Sequence, residues 1–125
     1  MLFRSEFLQD QKKVTSVNYP GLPESEFHKN ATKQFGKNYG GILTFNLESR
    51  EACFALLDSL KLIKRATNVN DNKTLILHPA STILCEYDDD VLDNIGVSQT
   101  LIRLSVGIED FDDMKNDLKR GIATL

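Results

Sequence analysis

Leu101-Ile102-Arg103-Leu104-Ser105-Val106-Gly107-Ile108-Glu109-Asp110 is the stretch on which the reading of this chain turns. Leu101 to Val106 has the apolar, partly β-branched character of a strand, Gly107 stops it, and the carboxylates Glu109 and Asp110 open a final helix. Side chains alternate along a strand, so Leu101, Arg103 and Ser105 share one face, and Ile102, Leu104 and Val106 share the other. Arg103 therefore points away from the fully apolar face. A cation set in an apolar run still needs an anion, because a buried and unpaired charge is costly. The pattern leaves two partners open. One is an acid elsewhere in the fold; the other is an external carboxylate or phosphate, which the planar guanidinium fork can grip with two parallel hydrogen bonds.

Working outward, Asp110 can cap a last helix in which Phe111, Met114, Leu118 and Ile122 recur at spacings of three and four. Upstream, Asp88-Asp89-Asp90 precedes Val91-Leu92-Asp93-Asn94-Ile95-Gly96, a short helix with acids at its start and glycine past its end. Thr74 to Leu77 is an apolar run stopped by His78-Pro79, and Ile83 to Glu86 reads as a further short strand. Thr67 to Asn72 is a polar loop. Ser49 caps a helix whose Ala52, Cys53, Leu56, Leu57 and Leu60 form a core stripe through about Leu62. Ile42 to Leu47 and Val14 to Val17 are strands. Tyr19-Pro20-Gly21-Leu22 has the residues of a type II turn, with Pro at its second position and Gly at its third. Glu24 to Gln34 is a surface helix or an irregular excursion. Phe3, Phe7 and Leu8 suit an amphipathic helix from about Leu2 to Gln11, which begins without a capping residue, as an element entering from a neighbouring domain would. The expected fold class is α+β: a small, mostly antiparallel sheet of about four strands, with three or four helices packed on one face.

The chain has 125 residues, 41% of them hydrophobic and 26% charged, with a net charge of −3. These values fit one domain of an ordinary soluble protein. Basic residues are dispersed, so no nucleic-acid partner is expected. No apolar run is long enough to span a bilayer, so no membrane partner is expected and a cytoplasmic location is. Cys53 and Cys85 have neither disulfide-framework nor zinc spacing and read as small buried hydrophobes.

Other chemistry is thin. The acids at positions 88–93 resemble a calcium loop only superficially, because Asp93 and Gln99 stand where glycine and glutamate are required; no metal is expected. His28 and His78 have no partner at triad or ligand spacing, and His78 beside Pro79 reads as structural. There is no nucleophile elbow, Walker loop or dinucleotide fingerprint, so no catalytic residue is assigned.

Val17-Asn18-Tyr19-Pro20-Gly21-Leu22, Tyr39-Gly40-Gly41, Leu75-Ile76-Leu77-His78-Pro79-Ala80-Ser81-Thr82 and Leu101 to Asp110 together resemble, in order and spacing, the C-terminal part of the Cys/Met-metabolism family of pyridoxal-phosphate enzymes. Asn68-Val69 and Lys73-Thr74-Leu75 are most similar to its O-acetylhomoserine sulfhydrylase branch, with cystathionine lyases and synthases next. The resemblance implies that residues 1–125 form the C-terminal substrate-binding domain of a fold-type I enzyme, whose N-terminal domain would carry the cofactor and its lysine. No cofactor-binding residue is then expected here, and none of the ten lysines stands in a Ser-x-Thr-Lys setting. It further implies that Arg103 binds the substrate α-carboxylate, that Asn68 and Thr67 help to hold it, and that the full-length enzyme is a homo-oligomer. The other reading is a non-catalytic α+β ligand-binding or interaction module. Two departures bear on the reaction more than on the fold: Ile83-Leu84-Cys85 stands where the family continues Thr-His, and the family's glycine near Asn70 is missing.

Overall fold

The five strands of the computed structural model form one sheet in the order β1-β2-β5-β4-β3. They are β1 (Val14–Asn18), β2 (Ile42–Leu47), β3 (Lys64–Arg65), β4 (Leu75–Leu77) and β5 (Leu101–Ser105). Five α-helices accompany them: α1 (Leu2–Gln9), α2 (His28–Phe35), α3 (Arg50–Ser59), α4 (Asp89–Asn94) and α5 (Phe111–Ile122). The structure describes residues 2–125, with side chains from Ser5 onward; the expected packing of Phe3 lies outside these.

β5 occupies the centre, antiparallel to β2 on one side and to β4 on the other. In register, Leu43 pairs with Leu104 and Leu104 with Ile76, while Thr44 pairs with Arg103 and Arg103 with Leu77. The first set belongs to the core with Phe45, Leu47 and Ile102. Cys53, Leu56 and Leu57 of α3, Met114 and Leu118 of α5 and Leu8 of α1 complete that core, and each large side chain fully buried there contributes about 1.5–3 kcal/mol. The alternation read from the sequence is therefore correct, and Arg103 lies on the opposite face.

The helix ends follow their chemistry. Ser49 accepts from Ala52 N at 3.1 Å, and Asp110 accepts from Asp112 N at 2.9 Å and Asp113 N at 3.2 Å. α5 carries acids in its first turn and Lys119 and Arg120 in its last, complementing the helix dipole. Gly96, at φ 76°, ends α4. Asp89 and Asp90 lie in the first turn of α4, although Asp88 makes no side-chain cap bond.

Four expectations are corrected. β3, only two residues long, adds a strand parallel to β4. Ile83 to Glu86 is not a strand: the backbone turns on itself, with Leu84 N donating to Pro79 O at 3.1 Å and Cys85 N to Thr82 O at 3.3 Å. These amides are spent within the turn that follows Pro79–Ser81, so local turn bonds override the strand propensity there. The Tyr19–Leu22 turn closes with Leu22 N donating to Tyr19 O at 3.0 Å, but Gly21 does not have the positive φ of a type II turn. Glycine is needed for space, since a Cβ there would sit 2.3 Å from Cε1 of the buried Tyr19 ring. Finally, Cys85 is exposed, and only Cys53 is a buried hydrophobe. No helix among the described residues is long and apolar enough to cross a membrane.

Candidate functional site

Arg103 is held by the central strand, so its Cα has little freedom. Its Nη2 donates to the main-chain oxygen of Thr67 at 2.7 Å and, weakly, to that of Asn68 at 3.5 Å. Nε is buried and has no hydrogen-bond partner. Among the described residues, Arg65 pairs with Asp58 and Arg120 with Asp117, and Arg50 lies 5.4 Å from the Phe54 ring centroid. No carboxylate lies within ion-pair distance of Arg103 among those residues. Burial pulls its pKa below the ordinary arginine value, yet the group stays cationic at any physiological pH. Of the two partners the pattern left open, the described residues supply no acid at that distance.

Thr67 and Asn68 are brought to Arg103, but through carbonyl oxygens, which cannot bind a carboxylate. Their main chain orients the guanidinium, while both side chains are exposed and can donate outward. Asn70 follows with φ 57°, the one non-glycine residue at positive φ among those described. Asparagine tolerates that region better than other L-residues do, so the loop takes this turn without a glycine. Asn70 N donates to Oγ of Ser105 at 3.0 Å. Ser105 stands two residues from Arg103 on the same face. Its role was not recognised in the sequence, although the alternation pointed at it.

Glu109 is also corrected. It does not share the capping of α5 with Asp110; its carboxylate accepts from Thr74 N at 2.7 Å and Thr74 Oγ1 at 2.6 Å.

Both histidines are structural. His78 is buried; Nδ1 accepts from Ser81 N at 3.2 Å, so Nε2 carries the proton and donates to Gln99 O at 2.9 Å. His28 Nδ1 donates to Pro20 O at 2.9 Å. Among the described residues, no cluster of three or more His, Cys, Asp or Glu could hold a metal. No lysine is buried among them, so none has the desolvated setting that would make its amine reactive.

Cys53 Sγ donates to Thr100 O at 3.2 Å, and burial pushes its pKa up to about 11. A thiol reagent at neutral pH is expected to modify Cys85 alone; Cys53 reacts only after denaturant is added. Two fast-reacting thiols in the native chain would contradict this burial.

The chain is an α+β fold whose central strand presents an arginine with no ion-pair partner among the described residues. The pattern of the Cys/Met metabolism PLP-dependent enzymes matches residues 3–123, and the chain belongs to that family. It is 41% identical over 123 residues to O-acetyl-L-homoserine sulfhydrylase 1 of Thermus thermophilus, covering 98% of this chain and 29% of that protein. The structure of the O-acetylhomoserine sulfhydrylase of Wolinella succinogenes superposes with a TM-score of 0.80 at 41% identity, over 96% of this chain and 31% of that one. Cystathionine gamma synthase of Xanthomonas oryzae pv. oryzae gives 0.89 at 32% identity, over 96% and 31%. The chain spans less than a third of the length of each.

Proposed function

We propose that residues 1–125 are the C-terminal substrate-binding domain of a pyridoxal-phosphate enzyme of sulfur amino-acid metabolism, with Arg103 as receptor for the substrate α-carboxylate and Thr67 and Asn68 beside it. The observation that carries this is a partly buried guanidinium with a buried, unpartnered Nε and, among the described residues, no acid within ion-pair distance. A substrate carboxylate supplies both the missing charge and the missing acceptor. Family membership and the similarity to sulfhydrylases support replacement of the acetate of O-acetylhomoserine by sulfide or a thiol as the full enzyme's reaction. The cofactor supplies an electron sink when bound. The residues here fix the substrate's orientation relative to it, which is where positioning contributes to rate. The preceding N-terminal domain would be the partner of this one, in a homo-oligomer.

Division of labour between the two domains is testable on this chain alone. Pyridoxal phosphate followed by borohydride is expected to leave only sparse, scattered pyridoxyl label on exposed lysines. Stoichiometric label on one lysine would contradict the proposal.

A further inference from the structure

The loop that orients Arg103 is held almost wholly by the stretch that contains Arg103. Along 103–109, alternate residues reach it in turn. Arg103 takes the Thr67 oxygen, Ser105 takes the Asn70 amide, and Gly107 N donates to Thr74 Oγ1 at 2.9 Å. Glu109 then grips both the amide and the hydroxyl of Thr74. The backbone adds Ile108 N donating to Asn72 O at 3.0 Å. At Gly107 the two segments touch so closely that a Cβ would lie 2.4 Å from Asn72 O.

Thr74 is fully buried where the loop enters β4. Its one hydroxyl proton goes to Glu109 Oε2 at 2.6 Å, and the oxygen accepts from Gly107 N. The loop's other end is fixed by Ala66 N donating to Ile76 O at 3.3 Å. Most of the residues between are exposed, so nothing from the core holds the Thr67 and Asn68 oxygens in place.

We propose that Thr74 and Glu109 are positioning residues for carboxylate binding: their hydrogen bonds clamp the 67–74 loop, and the loop sets the plane of the Arg103 guanidinium. Neither touches the carboxylate. The proposal rests on the assignment of Arg103 as carboxylate receptor. A guanidinium fixed in one plane binds without losing further freedom, so releasing the clamp lowers affinity without removing a ligand contact.

The test follows the Arg103 Nε–H NMR signal of the 125-residue chain during titration with sodium acetate, against sodium chloride at equal ionic strength. For the native chain a saturable shift is expected. Thr74→Val, which keeps the shape and removes the hydroxyl, is expected to weaken acetate binding about tenfold, and Thr74→Ser to restore it. Glu109→Gln keeps the size but replaces one acceptor oxygen by a donor; it is expected to weaken binding similarly and carries the comparison if Thr74→Val does not fold. Gly121→Ala is the control for general destabilisation, because its Cβ meets Leu56 Cδ1 and Ser59 Oγ at 2.7 Å where α3 and α5 cross. It is expected to lower Tm while leaving acetate binding unchanged. Native affinity in the Thr74 and Glu109 variants, or equal weakening in Gly121→Ala, overturns the positioning role. No saturable shift in the native chain overturns the carboxylate assignment beneath it.

Discussion

Asp117→Ala is expected to lower the folding free energy by about 3–5 kcal/mol, the range for removing one partner of a buried charged group. The carboxylate, only 3% exposed, closes the turn that leads out of α3. It accepts from Lys61 N at 3.0 Å, Leu62 N at 2.9 Å and Ile63 N at 2.9 Å, three successive amides aimed at one anion. Arg120 completes the set from the next turn of α5. Such a nest of N–H groups is a concave anion site, and here the chain fills it with its own side chain. Alanine strands those amides, at a cost greater than the gain from one new hydrogen bond. The half-exposed ion pair with Arg120 adds little. Urea unfolding measures the effect as a lower midpoint at constant slope. A loss below about 1 kcal/mol, the net worth of an ordinary hydrogen bond, would mean that water replaces the carboxylate.

The same residue sets an acid dependence. Burial alone would raise the Asp117 pKa. The amides of Ile63, Lys61 and Leu62, with Arg120, outweigh it, and the pKa lies below the ordinary aspartate value of 3.8. A carboxyl more acidic in the folded state contributes its full stabilisation above the unfolded value and loses it as the pH falls through the folded one. The native chain is therefore expected to lose stability below about pH 4 more steeply than Asp117→Asn does.

Much of this fold was legible because local and tertiary preferences agree. Ser49 and Asp110 cap where their side chains predict, Ile42–Leu47 pairs where its alternation requires, and Arg103 lies off the apolar face. Legibility failed where the deciding contact is distant in sequence. Lys64-Arg65 has no strand character of its own and is a strand only because β4 lies beside it. Ile83 to Glu86 has strand residues, but the amides of Leu84 and Cys85 are taken by the turn after Pro79. Gly21 looked like a torsional choice, whereas the Tyr19 ring takes the space of its Cβ. At the site, the alternation showed the face of Arg103 and Ser105, but not that Thr67 and Asn68 would offer carbonyl oxygens. Glu109 sat beside a genuine cap and so read as a second one.

The second large effect concerns Arg103 itself. In the full-length enzyme proposed above, Arg103→Ala removes the charge and every donor of the guanidinium, and about 10²–10³-fold in kcat/KM is the expected loss for deleting one member of a charge pair that substrate binding closes off from water. KM for the amino-acid substrate is expected to carry most of it, with a fall in kcat as far as the carboxylate also fixes the reacting geometry. Arg103→Lys should recover part, because an ammonium keeps the charge and lacks the fork. Cofactor absorbance should not change, since no cofactor-binding residue is assigned to this domain. The most direct test is steady-state kinetics of Arg103→Ala recorded beside its cofactor spectrum. The account predicts a raised KM and a strongly reduced kcat/KM with an unchanged spectrum; native kcat/KM, or loss of the bound cofactor, would contradict it.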